Sequence, residues 1–191
     1  SIASTGLDLL ELGLPTPAAE LLRGFDQIIS WYGATRSEFR EAVRGLPVRF
    51  LPALPSEGEG MHGVDWYLRQ VGAPQGAVPS IAAPGLPFRD FIACHPFSGG
   101  PRKNWAREKF QKLAERTPVP LEFCAGGDDH ALPGAHRFPD LLQVAAWLRS
   151  AKAYVGNDSG ISHLAAAVGT ACVVIFRCTN PNVWAPRGRA R

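Results

Sequence analysis

Several features that would assign this protein to a special class are scarce or missing. The 191-residue sequence contains no apolar run approaching the roughly 20 residues needed to cross a bilayer. Its opening, SIASTGLDLLELG, has neither the basic start nor the continuous apolar stretch of a signal peptide, so we expect a cytoplasmic protein. A net charge of +3, from 20 basic and 17 acidic side chains, is too small to indicate a nucleic-acid partner.

Cysteine and methionine are also scarce. The four cysteines form no C-x-x-C pair, and three of them lie in or beside apolar runs, so we expect neither a disulfide framework nor a zinc site. Met61 is the only methionine, and the chain begins at Ser1 and stops in RGRAR. Such ends are typical of a processed chain or of a fragment of a longer protein.

What the sequence does contain is a regular alternation of short apolar runs and amphipathic segments. In the C-terminal half, strands are predicted at RDFIACHP, PLEFCAG, AYVGN and ACVVIF, with a helical segment between each pair, which gives a domain over residues 90–191. This pattern predicts an α/β domain with a parallel sheet covered on both faces. Residues 1–72 show a similar but less complete pattern, and residues 73–89 are rich in proline and glycine, which predicts a linker between two domains.

The right-handed crossover rule places every strand-to-helix loop of such a sheet at one edge, where ligands bind. The first of these loops is HPFSGGPRKNW, residues 95–105. Gly99 allows a ligand close to the backbone, Ser98 offers a hydroxyl, and Arg102 and Lys103 just before a helix N-terminus favour an anion. The alternative is that the charges are solvated and that Asn104 caps the helix.

The second loop, CAGGDDHALPG, follows the next predicted strand. Asp128 or Asp129 could accept hydrogen bonds from a ribose, as the acidic residue of nucleotide-binding folds does. Acidic residues are also common in turns, and this second interpretation is favoured.

The third loop lies in YVGNDSGISHLAAAVG. Asp158 and Ser159 are good N-cap residues, and His163 follows Ser159 by four positions, which puts both on one helix face. A lone histidine at such a position is more often structural than functional. The position of this loop beside the glycine-rich, basic loop favours a functional interpretation.

Two of these segments resemble the signature of glycosyltransferase family 9, the heptosyltransferases of lipopolysaccharide core assembly. VGNDSGISHLAAAVG and the later TNPNVWAPRG resemble its G-x-D-[ST]-G-x-x-H-L-A-A-A-x-G and W-x-P-x-G motifs, and HPFSGGPRKNW resembles its basic loop. The likeness covers about residues 90–188. It implies a GT-B fold, in which a Rossmann-like C-terminal domain holds a nucleotide-sugar donor and the N-terminal domain receives the acceptor.

The resemblance also implies roles for individual residues. Lys103 would neutralise charge on the departing diphosphate, and Asp158 would hold hydroxyls of the transferred sugar. The other implied donor contacts are to the diphosphate, from Ser98, Gly99, Ser159, Gly160 and His163, and to the nucleoside, from Asp128 or Asp129. The implied reaction is inverting transfer of a heptose-type sugar from an ADP-sugar to a lipopolysaccharide core acceptor, without a metal, by a cytoplasmic protein in peripheral contact with the inner membrane.

The chain departs from the family pattern in two respects. Where the family has F-G-P-T-D-P, Arg177 and Cys178 replace glycine and proline, and Asn180 replaces aspartate. In addition, no strand followed by a Gly-Asp loop with the presumed general base precedes residue 25. We therefore expect a truncated N-terminal domain and self-association through its exposed edge.

Two alternative functions stay open. The first is a non-catalytic module that binds a nucleotide or phosphate, which the missing base motivates. The second is a serine hydrolase that uses Ser98 or Ser159 with His163, although neither serine lies in a G-x-S-x-G motif.

Overall fold

The computed structural model describes residues 9–12, 17–56, 58, 60–126 and 132–188. The chain divides into two compact units, residues 1–59 and residues 60–191. The sequence-based boundaries, 1–72, 73–89 and 90–191, stay a prediction. Within the described ranges, no helix has the length and apolar character that crossing a membrane requires.

The first unit is a small parallel α/β arrangement. It contains a 3₁₀ turn (Leu10–Leu12), α1 (Pro17–Arg23), β1 (Ile28–Ser30), α2 (Ser37–Ala42) and β2 (Val48–Phe50). The two strands pair in parallel, with Ile28 opposite Val48. The buried apolar residues are Leu10, Ala18, Val43 and Leu51.

Gly33 makes the turn between β1 and α2 possible. Its φ of 74° lies in the left-handed region, and a Cβ at this position would overlap the ring of Phe39. That ring packs edge-to-face against Tyr32 and Phe50. Glycine is therefore required both by the backbone conformation and by the close approach of an aromatic side chain.

The second unit contains the larger sheet. Its elements are α3 (Gly63–Gln70), β3 (Arg89–His95), a 3₁₀ turn (Pro101–Lys103), α4 (Arg107–Arg116), β4 (Leu121–Phe123), α5 (Leu141–Ser150), β5 (Ala151–Asn157), α6 (Gly160–Ala167), β6 (Cys172–Ile175) and α7 (Pro181–Trp184). The strand order is β4-β3-β5-β6, and every pair is parallel. This confirms the predicted parallel α/β fold.

Side chains that alternate along the central strands supply two apolar layers. On one face, Phe91 and Tyr154 pack with Trp147 and Leu148 of α5. On the other face, Cys94 and Val155 contact Phe110 of α4. All of these side chains are nearly or fully buried, so the central strands β3 and β5 carry helices on both sides and position the loops at their carboxyl ends.

The start and the end of the second unit are joined by polar contacts. Arg187 forms a two-pronged ion pair with Asp65, with its Nη1 atom 2.9 Å from Oδ1, and the Gly76 amide donates to the same Oδ1 over 2.7 Å. These bonds, the one from Arg187 foremost, hold the pKa of the Asp65 carboxyl well below its ordinary value. A further hydrogen bond of 2.8 Å joins the His62 ring to the Ala185 carbonyl.

Candidate functional site

The candidate site lies where β3 and β5 end side by side. Asn157, the last residue of β5, is fully buried. Its Nδ2 atom donates to the Pro96 carbonyl over 2.7 Å, and its Oδ1 atom accepts from the Trp105 amide over 2.8 Å. One side chain therefore holds both ends of the loop that follows β3, which fixes that loop against the end of β5.

Further hydrogen bonds inside this loop shape it as a 3₁₀ turn. The Ser98 hydroxyl lies 2.7 Å from Asn104 Oδ1 and 2.9 Å from the Gly100 carbonyl. The Lys103 amide donates to that same Gly100 carbonyl over 3.0 Å. As a result, Lys103 lies in a turn whose conformation is fixed by hydrogen bonds within the loop.

The alternative in which Asn104 caps the following helix is wrong. The helix, α4, begins at Arg107 with Ala106 at the N-cap position, and the Asn104 side chain is engaged by Ser98 instead. The expectation that Arg102 and Lys103 directly precede a helix N-terminus is wrong for the same reason. The chain completes a 3₁₀ turn after Gly100 before the helix begins. The preferences of residue types for helix caps do not predict such an intervening turn.

Lys103 and Asp158, predicted from two separate loops, form an ion pair. The Lys103 Nζ atom is 2.9 Å from Asp158 Oδ2, and the Thr179 hydroxyl donates to that same oxygen over 2.7 Å. The Asp158 side chain is only 6 % exposed and that of Lys103 is 36 % exposed. A nearly buried carboxylate is thus held by a cation that solvent and ligands can still reach.

The loop between β5 and α6 is stabilised by a buried hydroxyl cluster. The Ser162 hydroxyl donates to the Asn157 carbonyl over 2.5 Å and bonds the Tyr154 hydroxyl over 3.0 Å. Ser159 occupies the N-cap position before Gly160, but its hydroxyl lies 3.4 Å from that of Ser162 and caps no backbone amide. The Ser162 amide donates to the Ser159 carbonyl over 3.1 Å, and the amides before it at the start of α6 are not capped by the Ser159 side chain.

A cavity of about 720 Å³ opens at this edge of the sheet. A Cβ at Gly99 or at Gly160 would meet no atom within 4 Å, so both backbones face open space. Five predicted site residues line the cavity: Ser98, Gly99, Ser159, Gly160 and His163. Lys103 and Asp158 do not line it themselves, but each lies in one of the two loops that do.

His163 is the titratable predicted residue on the cavity wall. The surrounding protein desolvates its imidazole and lowers its pKa below the ordinary value, and Asp158 partly opposes this shift. Nearby His62 and Lys103 lower the pKa further. The neutral ring carries one donor and one acceptor, and an anion in the cavity would favour its protonated form.

A smaller cavity of about 250 Å³ lies beside the end of β4. His95, Leu141 and Ile161 line both cavities, so the two are neighbours. Asp128 and Asp129, predicted to contact the nucleoside, lie outside the described residues, and their role stays a prediction.

The part of the chain that the structure describes holds no group of three or more His, Cys, Asp or Glu residues that could bind a metal ion. The expected independence of a metal cofactor stays a prediction.

A family model matches a segment that forms part of this site. The model for "Glycosyltransferase family 9 (heptosyltransferase)" matches residues 139–190, which include Asp158, Ser159, Gly160 and His163. The second unit thus contains a segment that matches glycosyltransferase family 9. The match confirms the resemblance that the sequence motifs indicated, and it covers the wall of the cavity formed by α5 and α6.

Solved structures of heptosyltransferases are similar to this chain. The dodecameric iron-containing heptosyltransferase TibC in complex with ADP-D-β-D-heptose has a TM-score of 0.50 and 17 % identity, and the match covers 74 % of this chain and 48 % of that one. E. coli heptosyltransferase WaaC with ADP has a TM-score of 0.46 and 17 % identity, with 64 % and 45 % covered. E. coli ADP-heptose lps heptosyltransferase II has a TM-score of 0.47 and 20 % identity, with 83 % and 49 % covered.

The chain thus spans about half the length of these heptosyltransferase structures. At 17 % identity, the likeness to TibC concerns the fold. None of the curated proteins compared with the chain matches it.

Several residues that organise the candidate site are absent from the sequence-based predictions. Asn157, Ser162 and Thr179 act through hydrogen bonds to distant segments or through the buried cluster. Their positions in the sequence are the one indication of a role at the site. Asn157 and Ser162 lie inside the motif that carries Asp158, and Thr179 lies in the motif that follows β6. Side-chain partners across 21 or 52 residues cannot be assigned from spacing.

Proposed function

We propose that this chain binds a nucleotide-sugar donor, with an ADP-linked heptose as the first candidate, and serves inverting transfer of the sugar to a lipopolysaccharide core acceptor. The observation that carries the proposal is the Lys103–Asp158 ion pair, formed between two loops that line one cavity. The family match over residues 139–190 and the ADP-D-β-D-heptose bound by the similar TibC structure support the choice of donor.

The diphosphate is proposed to lie between the start of α6 and Lys103. Helix N-terminal amides and a lysine are both suited to a phosphate, and the Ser159 side chain does not occupy the amides of α6. When the sugar departs, negative charge grows on the nucleoside diphosphate. Fixed amides and the ammonium of Lys103 would stabilise that charge, which lowers the barrier to transfer.

The sugar is proposed to contact Asp158. Its carboxylate accepts from Lys103 and Thr179 on Oδ2, so the side chain is oriented before a sugar hydroxyl arrives. A carboxylate held in this way can accept hydrogen bonds from sugar hydroxyls without a change of rotamer. Attack by an acceptor hydroxyl on the anomeric carbon would require a general base, whose identity stays a prediction along with the acceptor and the peripheral membrane contact.

A second candidate function is nucleotide or phosphate binding without transfer. The observation that favours it is that Asp158, the carboxylate at this site, is already engaged by Lys103 and Thr179 and so is poorly placed to act as a base. The serine hydrolase alternative gains no such support. The hydroxyls of Ser98 and Ser159 are engaged by neighbouring loop atoms rather than by His163.

Binding of ADP and of ADP-D-β-D-heptose, measured by calorimetry, tests the proposal. Lys103→Met should weaken binding of both ligands about tenfold, because a charge-assisted contact to the diphosphate is lost. Asp158→Asn should weaken binding of the nucleotide sugar more than binding of ADP, because its contact is to the sugar. Lys112→Met, which removes an exposed lysine from α4, and Asp90→Asn, at an exposed carboxylate, are the matched controls.

Equal affinities of Lys103→Met and Lys112→Met for ADP would contradict the assignment of the diphosphate site. A ligand preference unchanged in Asp158→Asn would contradict the assignment of the sugar site. Release of ADP from ADP-D-β-D-heptose in the presence of a lipopolysaccharide core acceptor would favour transfer, and tight binding without release would favour the second candidate.

A further inference from the structure

A single five-residue segment contacts Asp158 and the residue that directly follows Lys103, its ion-pair partner. This segment, residues 176–180, joins β6 to α7. Near its start, the Arg177 guanidinium donates from Nη1 to the Asn104 carbonyl over 2.7 Å, at the residue that directly follows Lys103. Near its end, the Thr179 hydroxyl donates to Asp158 over 2.7 Å. The segment thus connects to one partner through the neighbouring backbone and to the other directly.

Arg177 is also one of the positions at which this chain departs from the F-G-P-T-D-P motif that this segment resembles, where glycine is found. Glycine has no side chain and cannot bond the Asn104 carbonyl. Thr179, in contrast, matches the motif threonine. The contact to the lysine loop is therefore a property of this chain, whereas the residue type that contacts Asp158 is that of the motif.

We propose that Arg177 is a positioning residue for Lys103: through the Asn104 carbonyl it holds the lysine-bearing turn in the conformation that pairs with Asp158 and receives a diphosphate. The inference rests on the proposed function for the identity of the ligand, but the positioning itself is a property of the chain alone.

The other bonds of the loop show what Arg177 adds. Asn157 holds the loop at Pro96 and Trp105, its two ends, and the Ser98–Asn104 bond closes it internally. Neither set of bonds connects the backbone of the 3₁₀ turn itself to another segment, and the Lys103–Asp158 ion pair does so only through a long side chain. The bond from Arg177 connects the last part of the turn to a separate segment, so it restrains sideways movement of the turn.

The consequence is that Lys103 and Asp158 are held at their 2.9 Å separation by a common element. A diphosphate that attracts Lys103 away from Asp158 would act on a turn whose backbone stays in place. The lysine side chain can then change partners while its Cα position is retained, which lowers the ordering cost of ligand binding.

Amide hydrogen exchange of residues 98–105 tests the positioning without any ligand. Arg177→Met should speed exchange at the Lys103 amide, which donates to Gly100 inside the turn, by about threefold or more. Arg177→Lys, which retains a donor, should restore part of the protection. Arg102→Met removes an exposed cation from the same turn and is the matched control. Unchanged exchange in Arg177→Met, or equal acceleration in Arg102→Met, would overturn the proposal.

A binding cycle with ADP then tests whether Arg177 acts through Lys103. Arg177→Met should weaken ADP binding about threefold to tenfold in the native background and have no further effect beside Lys103→Met. The same loss in both backgrounds would mean that Arg177 contacts the ligand by itself, which would overturn the positioning role. If exchange responds as expected but the native chain does not bind ADP, the positioning stands and the proposed donor is wrong.

Discussion

At the scale of single residues, the site depends on shared partners. Asp158 Oδ2 accepts from both Lys103 and Thr179, and the Ser162 hydroxyl contacts both Asn157 and Tyr154. A change at any one of these residues alters the environment of another, so effects of substitutions within the cluster should not add. His163 differs from these residues because its surroundings change the pKa of its side chain.

We expect binding of a diphosphate diester to become tighter as the pH falls, and His163 to be the cause. The pKa of the imidazole is below its ordinary value, mainly because it is desolvated. A bound anion would raise that pKa, so the complex takes up a proton, and affinity should rise between about pH 7 and pH 5. ADP-ribose is a suitable probe, since its diphosphate is a diester without the terminal phosphate group that titrates near pH 6.

Calorimetry in two buffers of different ionisation enthalpy measures this proton uptake directly. His163→Gln should bind ADP-ribose without a dependence on pH in this range. A pH dependence that persists in His163→Gln would show that another group takes up the proton, and a flat profile for the native chain would place the ring away from the anion.

At the scale of structural elements, β5 combines support of the fold with support of the site. Its side chains alternate between the two apolar layers, and its last residue, Asn157, secures the lysine-bearing loop. Gly156, one position earlier, lies directly beside the Tyr154 hydroxyl and near the His95 carbonyl. The tyrosine ring crosses over the glycine to reach Ser162, so a side chain at position 156 would break the buried hydroxyl cluster.

Gly156→Ala should therefore destabilise the second unit by about 1–3 kcal/mol, because the added methyl group overlaps a buried side chain and backbone. The comparison is Gly85→Ala, where a Cβ meets no atom within 4 Å. Urea unfolding monitored by tryptophan fluorescence gives both free energies of unfolding. Equal stability of the two variants would mean that Tyr154 can move aside, and the assigned role of the hydroxyl cluster would then be wrong.

At the scale of the whole molecule, the second unit is held together by contacts between its first and last elements. Asp65 in α3 and Arg187 after α7 are 122 residues apart in sequence, and both side chains are largely shielded from solvent. Arg187 also lines the larger cavity. The ion pair thus connects a wall of the site to the element that opens the unit.

Asp65→Asn and Arg187→Gln should each lower the urea midpoint of the second unit, and the double variant should lose less than the sum of the two. The pKa of Asp65 is lower in the folded chain than its ordinary value. The stabilisation from the ion pair is therefore fully present at pH values above the ordinary pKa, and it is lost as the pH falls through the lowered pKa. The difference in urea midpoint between the native chain and Asp65→Asn should therefore be smaller at acidic pH than at neutral pH. Strictly additive losses would show that the two side chains do not act together.

The sequence allowed the sheet and its functional edge to be predicted because both follow from local patterns. Apolar runs such as ACVVIF specify buried strands, and the handedness of crossovers places the loops at one edge. Lys103 and Asp158 were each predicted from their motifs. Their pairing was not, because it depends on the fold of the loop between Pro96 and Trp105.

What could not be predicted depends on contacts between distant segments. Asn104 is a common helix-capping residue type, but its side chain accepts from Ser98 within the same loop and its carbonyl accepts from the distant Arg177. Asn157 looked like an ordinary residue at the end of a strand until its partners at Pro96 and Trp105 were known. In each case the competing interaction is a tertiary hydrogen bond that outweighs a local preference.

The bonds from His62 to Ala185 and from Asp65 to Arg187 bring the two ends of the second unit together. Ends that meet in this way can be joined by a short peptide without stretching the chain, which makes the unit suitable for circular permutation. New termini would be placed near Gly85, in the exposed stretch before β3, so that α3 and α7 become covalent neighbours. The cavity would then keep both its walls while the order of the elements along the gene changes.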